Sequence, residues 1–342
     1  MTGKRVAVAF SGGKDSTAAA LILKKEHHRV QLLSMMLGND GEKERAEHLR
    51  ELASLMDIPL QLVDARSFFR KRIIDEFVQA YRSGLTPNPC VDCNAILKFG
   101  WLRELAFSRF GAELFATGHY ADLTDRGGAL FLKEPRDLKK SQIYFLSMIG
   151  ADKLSRVVFP VSGLTLKQVR EMVGNLPLAN QGESQDVCFL NDEPLTDYLR
   201  RQIPGMFRKG DIVDVDGNRI GHHDGINHFT IGQRRGTRFS SDRKLYVICK
   251  DVKTNTIVLG EDRHLFSDEV RVTDPVYWRP LKSGEILRAK IRYLSQRHEI
   301  EILETGQSQI RGRFSQPVRA VTPGQICAFY EDDIIVAAGR IA

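Results

Sequence analysis

The sequence lacks several features that would each open a class of function. No stretch approaches roughly 18 consecutive apolar residues, so nothing reads as a membrane-spanning helix. Met1 to Arg5 begins no signal peptide, and the expectation is a cytoplasmic protein with no membrane partner. Cysteine is scarce and odd in number, five in 342 residues. That argues against a disulfide framework and turns attention to metal or thiol chemistry wherever cysteines cluster. There are no internal repeats and no low-complexity linker. What is present is ordinary globular composition, 42% hydrophobic and 27% charged, at a length that allows two or three domains. The formal net charge is +7, which favours a polyanionic partner.

One stretch near the start organises the rest. Val6-Ala7-Val8-Ala9-Phe10 reads as a buried strand, Ser11-Gly12-Gly13-Lys14-Asp15-Ser16 as a glycine-rich turn, and Thr17 to Leu21 as a helix start. Two adjacent glycines let the backbone turn its N–H groups inward at the positive end of a helix dipole, an arrangement suited to phosphate. It is not the Walker loop, because Gly13-Lys14 is followed by Asp15 and Val8 stands where that pattern needs its first glycine. The loop resembles the pyrophosphate-binding loop of enzymes that split ATP between its α and β phosphates.

Strand-like runs at 30–36, 60–64 and 114–117 alternate with helical spacing over 41–55, 68–81 and 94–110. This predicts an α/β domain, a doubly wound parallel sheet with ligands at the carboxyl ends of its strands, to about residue 200. The pattern then changes. Gly210 to Asn218 reads as a strand and turn, followed by a glycine-rich region short of helix signals. Runs at 270–272, 286–291, 298–303, 326–330 and 334–337 suggest a small β-barrel. The expected boundaries are 1–204 for the catalytic domain, 205–266 for a small mixed central domain and 267–342 for the barrel.

Cys90 and Cys93 form a C-x-x-C pair after Thr86-Pro87-Asn88-Pro89, at a predicted helix start where the dipole favours thiolate. Cys188 lies far along the chain in another loop of the same domain. Cys249 and Cys327 sit in strand-like runs and read as small buried hydrophobes. Two chemistries fit the first three. One is sulfur relay through a persulfide and disulfide resolution; the other is an iron–sulfur cluster on three cysteines with one iron left open. Structural zinc is weaker, since it prefers four protein ligands.

These residues, with Lys98-Phe99, Ala116 to Ala121, Gln142 with Tyr144-Phe145-Leu146, Phe159-Pro160-Val161, Ser184 to Phe189, His228 to Gly236 and Arg319 to Gln325, make the chain resemble the tRNA-specific 2-thiouridylases (the MnmA/TrmU family). That family places sulfur on C2 of the wobble uridine of certain tRNAs, and the resemblance runs almost end to end. It implies an ATP-pyrophosphatase (PP-loop) domain, a central tRNA-binding domain and a C-terminal β-barrel. It implies ATP and Mg²⁺ at Ser11, Gly12, Gly13, Asp15, Ser16, Met35 and Gly118, with His119 free to contact phosphate or a local partner. It also implies tRNA at Lys140, Gln142, Arg234 and Arg235, and sulfur on Cys188 with Cys93 as its partner. The sulfur donor would be a relay protein, a desulfurase or inorganic sulfide.

Three departures stand out. Many members have an aspartate, assigned as a base, where Cys90 stands; the change removes a proton acceptor and adds a soft ligand, which favours a [4Fe-4S] cluster on Cys90, Cys93 and Cys188 over a pure persulfide route. Asp92 is the nearest carboxylate in sequence. Lys140-Ser141-Gln142 replaces the more usual Lys-Asp-Gln, and the chain is short between Met36 and Glu47. The basic run Arg234-Arg235, Arg238, Arg243-Lys244, with Phe229 and Phe239 for stacking, fits folded RNA. The rival of another class is a non-catalytic tRNA-binding protein with a relic ATP site.

Overall fold

Seven strands belong to the first two hundred residues: β1 (Arg5–Ala9), β2 (Arg29–Met36), β3 (Leu60–Asp64), β4 (Leu114–Thr117), β5 (Asp122–Arg126), β6 (Ala129–Lys133) and β7 (Val157–Val158). They are drawn from a computed structural model that describes residues 3–178, 187–234 and 244–342. Five of them form a sheet ordered β3-β2-β1-β4-β7 in which every pairing is parallel. Both faces are covered, which is why β1 and β2 read as near-continuous apolar runs. On one face, α1 (Lys14–Lys25) presents Ala18, Ala19 and Ala20, all fully buried; α2 (Glu42–Leu55) adds Leu49 and Leu52 against Val6, Val8 and Leu32. On the other, the helix over 89–108 packs Phe99, Leu102 and Ala106 on Ala7, Leu33 and Phe115.

That last helix starts at Pro89, five residues before the sequence predicts, with proline at a position where its missing N–H costs nothing. From Cys93 to Leu102 it is π-helical, with hydrogen bonds running from i to i+5. A side chain at Gly100 would come within 3.1 Å of the Ala95 carbonyl, so glycine eases the widened turn.

The central region pairs β8 (Gly210–Val213), β9 (Arg219–His223), β10 (Tyr246–Asp251) and β11 (Thr256–Gly260) in the order β10-β11-β8-β9. Its core holds Ile212, Ile226, Phe229, Val247, Ile257 and Leu259. Two expectations are corrected here. Phe229 is buried in this core and offers no face to RNA. Cys249 lies on a strand as predicted but is exposed, while Cys327 is buried. The reason is a β-bulge between Val247 and Cys249, which flips the alternation so that Val247 points in and Cys249 out.

The last third closes into a barrel. β12 (Phe266–Tyr277), β13 (Ile286–Lys290), β14 (His298–Thr305), β15 (Gln309–Arg319), β16 (Ile326–Glu331) and β17 (Ile334–Ile341) run β12-β15-β14-β13-β16-β17, all antiparallel, and β12 pairs again with β17. The hairpin β5–β6 leaves the parallel sheet and joins the barrel through Ile334 and Lys133. One hydrophobic core therefore runs from Phe99 and Phe115 through Tyr144 to Ile326 and Phe329. Tyr144 Oη donates to the Ile326 carbonyl at 2.9 Å, and Thr86 N donates to the Pro323 carbonyl at 2.9 Å. Among the described residues no helix is long and apolar enough to cross a membrane.

Candidate active site

The loop between β1 and α1 is folded by its own side chains. Ser16 Oγ donates to the Gly13 carbonyl at 3.0 Å and lies 3.1 Å from Ser11 Oγ, while Gly13 N donates to Ser11 Oγ. Gly12 has φ of +83°, a left-handed conformation that favours glycine. The first N–H groups of α1 have no carbonyl of their own helix to bond and point out of the turn. The end of β4 meets this loop at Gly118. A side chain there would lie 2.4 Å from the Asp15 carbonyl carbon and 2.5 Å from Ser16 N, so only glycine lets the two backbones approach.

A cavity of about 410 Å³ opens at the carboxyl ends of β1, β2 and β4. Ser11, Asp15, Ser16, Met35, Gly118 and Gln142 line it from the loop side, and Cys90, Cys93 and Cys188 from the other. The long sequence gap between the cysteines is closed by two anchors. Phe189 packs among Phe69, Phe77 and Tyr198, with ring centroids 5.2–6.0 Å away. Asn39 Nδ2 donates to the Cys188 carbonyl at 3.1 Å, so the short loop after β2 holds the turn that presents Cys188.

Cys93 belongs to the helix over 89–108, and its neighbour Asn94 donates from Nδ2 to the Phe145 carbonyl at 3.1 Å. The thiols act on one another, and burial dominates all three. It raises Cys90 and Cys188 above the ordinary thiol range and pushes Cys93 up to about 12. The expectation that the helix dipole alone would favour thiolate is thus corrected: loss of hydration outweighs it. Among the described residues no three His, Cys, Asp or Glu side chains converge on a single metal ion.

Asp92 does not stand in for the missing aspartate base. It is turned away from the cavity and ion-paired with Arg340 of β17. His119 lines the cavity with Nδ1 2.9 Å from Thr117 Oγ1, and burial holds its pKa well below the ordinary imidazole value. It is a neutral, locally bonded ring. Gln142 Oε1 accepts from Tyr120 N at 2.8 Å. Lys140 lies on the short turn Leu138–Lys140, outside the cavity, and Arg234 is exposed in the central region. Arg235, Arg238, Phe239 and Arg243 lie outside the described residues, as does the segment 179–186.

Two basic residues were given no role by the sequence reading. Arg45 of α2 reaches the cavity and donates to the Met35 carbonyl and Ser34 Oγ. Lys98 faces the thiols from the same helix as Cys93. A motif containing Lys98 was visible in sequence; the direction of its side chain was not.

Three family models match nearly the whole chain: a tRNA methyl transferase HUP domain over 4–192, a tRNA methyl transferase PRC-barrel domain over 196–261 and an aminomethyltransferase β-barrel domain over 267–341. The tRNA-specific 2-thiouridylase MnmA of Syntrophotalea carbinolica is 37% identical over 349 residues, covering 99% of each chain. That of Pelobacter propionicus is 37% identical over 346 residues, covering 98% of this chain and 97% of its own. A third, from Acidithiobacillus ferrooxidans, is 35% identical over 349 residues, covering 100% of this chain and 99% of its own.

Proposed function

The chain belongs to the family of tRNA-specific 2-thiouridylases, which are tRNA sulfurtransferases, and from that premise we propose that it replaces O2 of a tRNA wobble uridine by sulfur at the expense of ATP. One observation carries this reading: a pyrophosphate-type loop and three thiols open onto the same cavity. Methyl transfer, the phrase in two of the model descriptions, would use neither half of it.

The chemistry needs both halves. Uracil oxygen is a poor leaving group, so O2 first attacks the α-phosphorus of ATP, pyrophosphate departs and the N3 proton is lost. Anionic sulfur then bonds to C2, the C2–O2 bond breaks with its electron pair leaving on AMP, and the N3 proton returns. The N–H groups of the loop Ser11, Gly12, Gly13, Asp15 and Ser16 would hold the departing pyrophosphate, with Asp15 toward the Mg²⁺ that ATP brings. Met35, at the end of β2, would lie against adenine, and Gly118 lets β4 close on the loop. Lys140, Gln142, Arg234 and Arg235 would contact tRNA, in the cytoplasm where tRNA and ATP are found.

Cys188 would carry sulfur and Cys93 would be its partner. The donor set also suits an iron–sulfur cluster. Three soft thiols share one space, and Asp92, which lies between Cys90 and Cys93 in sequence, is engaged by Arg340. Cys90, Cys93 and Cys188 face one volume, the arrangement their thiolates would need to hold such a cluster together. Cys90, Cys93 and Cys188 would hold a [4Fe-4S] cluster, which when bound supplies an iron without a protein ligand for sulfide.

The opening of Cys93 and Cys188 onto the same cavity also suits a second route. In it the outer sulfur of a Cys188 persulfide bonds to C2. Cys93 thiolate then attacks the Cys188 sulfur and the S–S bond breaks. The resulting Cys93–Cys188 disulfide must be reduced by an external thiol. For this route the persulfide's outer sulfur would come, already at the sulfane level, from a relay protein or a desulfurase; inorganic sulfide would serve the cluster route, where it enters directly as the anion that bonds to C2.

The separating experiment is Cys90→Ala, purified without air. Loss of iron, acid-labile sulfide and thiolation together supports the cluster; full activity leaves only the persulfide route. A wild-type protein that binds unmodified tRNA and ATP but never forms 2-thiouridine contradicts the enzyme reading altogether.

A further inference from the structure

Lys98 is the charge in the cavity that the proposed function leaves without a role. The charged side chains lining the cavity, among the described residues, are Asp15, Arg45 and Lys98. Arg45 is held by the Met35 carbonyl at 3.1 Å and Ser34 Oγ at 3.3 Å. Lys98 has no hydrogen bond or ion pair among the described residues. A lysine ammonium left without an anion beside apolar walls gives up hydration for nothing, unless an anion arrives during function.

Its placement is fixed from both sides. Leu97 and Phe99 are fully buried, so the helix cannot turn Lys98 away from the cavity. Cys93 and Lys98 are five residues apart in the stretch Cys93–Leu102, where the π-helical repeat sets i over i+5. An ordinary α-helix would carry a residue at that spacing well round from Cys93. The widened turn puts both on the face that lines the cavity, together with Asn94 and Leu102.

The charge of Lys98 reaches every thiol of the site. For Cys90 and Cys93 it is the strongest influence favouring the anion, and it acts in the same sense on Cys188. Arg45 reaches Cys188. Among the described residues no anion pairs with Lys98, and the groups its charge reaches are the three thiols and the neutral ring of His119.

We propose that Lys98 is the charge-balancing residue of the sulfur-transfer step, holding the transferring sulfur anionic against C2 of the activated uridine. The proposal rests on the thiolation reading above. The step it serves is the one already balanced: the C2–S bond forms from the sulfur electron pair as the C2–O2 pair departs on AMP. It holds whether sulfur arrives as the outer atom of a Cys188 persulfide or as hydrosulfide, because each enters as an anion into a site whose burial disfavours anions. An ammonium fixed beforehand supplies that stabilisation without reorganisation.

The test separates the two half-reactions in the full-length protein. With unmodified tRNA and ATP, tRNA-dependent exchange of labelled pyrophosphate into ATP reads adenylation alone; single-turnover 2-thiouridine formation with sulfide reads the whole. In Lys98→Met, thiolation should fall by about 10²–10³ in rate, the scale of one lost preorganised electrostatic contact. Exchange should stay within about threefold of wild type and the KM for tRNA should be unchanged. Lys98→Arg keeps the charge and should recover at least about tenfold of the loss.

Wild-type thiolation by Lys98→Met overturns the proposal. So does an equal loss of exchange, which would assign Lys98 to the nucleotide, or an Arg variant as slow as Met. If Lys98→Met does not fold, Lys98→Gln carries the same comparison. A wild-type protein that exchanges pyrophosphate but never thiolates would overturn the underlying reading instead, so the two failures are distinguishable.

Discussion

At the scale of single residues, the groups that matter are those whose surroundings contradict their chemistry. Lys250 is one outside the site. The bulge at Val247–Cys249 turns its side chain inward, where Nζ is buried with no hydrogen-bond partner among the described residues. Burial lowers its pKa from the ordinary 10.5 to about 8. Below about pH 8 the charged amine is buried and the full penalty is present. Between about 8 and 10.5 the unfolded chain binds more proton than the native one, so stability rises with pH. Lys250→Met should therefore stabilise the protein by about 1–3 kcal/mol at pH 7. In urea unfolding the advantage should shrink toward pH 10; a gap independent of pH would contradict the account. The loop Ser11 to Ser16 and the pair Cys90, Cys93 were legible in sequence because their chemistry is written within six residues. Lys98 and Lys250 were not, because a missing partner is a fact about space.

At the scale of elements, the loop and the end of β4 act as one unit. Gly118→Ala would drive a methyl group into the Asp15–Ser16 backbone, at a cost of about 1–3 kcal/mol. ATP affinity should fall by roughly five- to 100-fold, with tRNA affinity little changed, as read by calorimetric titration. Unaltered ATP binding would show that the loop moves freely. The parallel sheet was readable from alternation because both faces are covered and its strands are apolar runs. Several elements were not. β15 carries Gly312, Pro317 and three arginines, so it lacks an apolar run and passes for a loop. The π-helical turn at Cys93–Leu102 and the bulge in β10 change which residues share a face, and neither has a signature in hydrophobic spacing.

At the scale of the whole molecule, the barrel shares its core with the domain that carries the cavity. β5–β6 extends its sheet, and the core is continuous from Phe99 to Phe329. Arg340 pairs with Asp92 between the two clustered cysteines, and Gln325 Nε2 donates to the Thr86 carbonyl at 2.7 Å. Sequence separated these regions by composition and could not see the long-range pairing that joins them. Calorimetry should show the parallel-sheet domain and the barrel melting in one transition; two resolved transitions would contradict the shared core. Arg340→Ala strands a part-buried carboxylate and should cost about 1–3 kcal/mol in urea unfolding, less than for a fully buried pair.

The central claim is that one cavity both splits ATP and delivers sulfur. Its most direct measurement counts products from unmodified tRNA, ATP and sulfide without air. The account predicts one AMP and one pyrophosphate for each 2-thiouridine formed, no 2-thiouridine when Cys93 and Cys188 are both changed, and none of the three products when ATP is omitted. Bound tRNA with no 2-thiouridine, or a methylated nucleoside formed without ATP consumption, would contradict it.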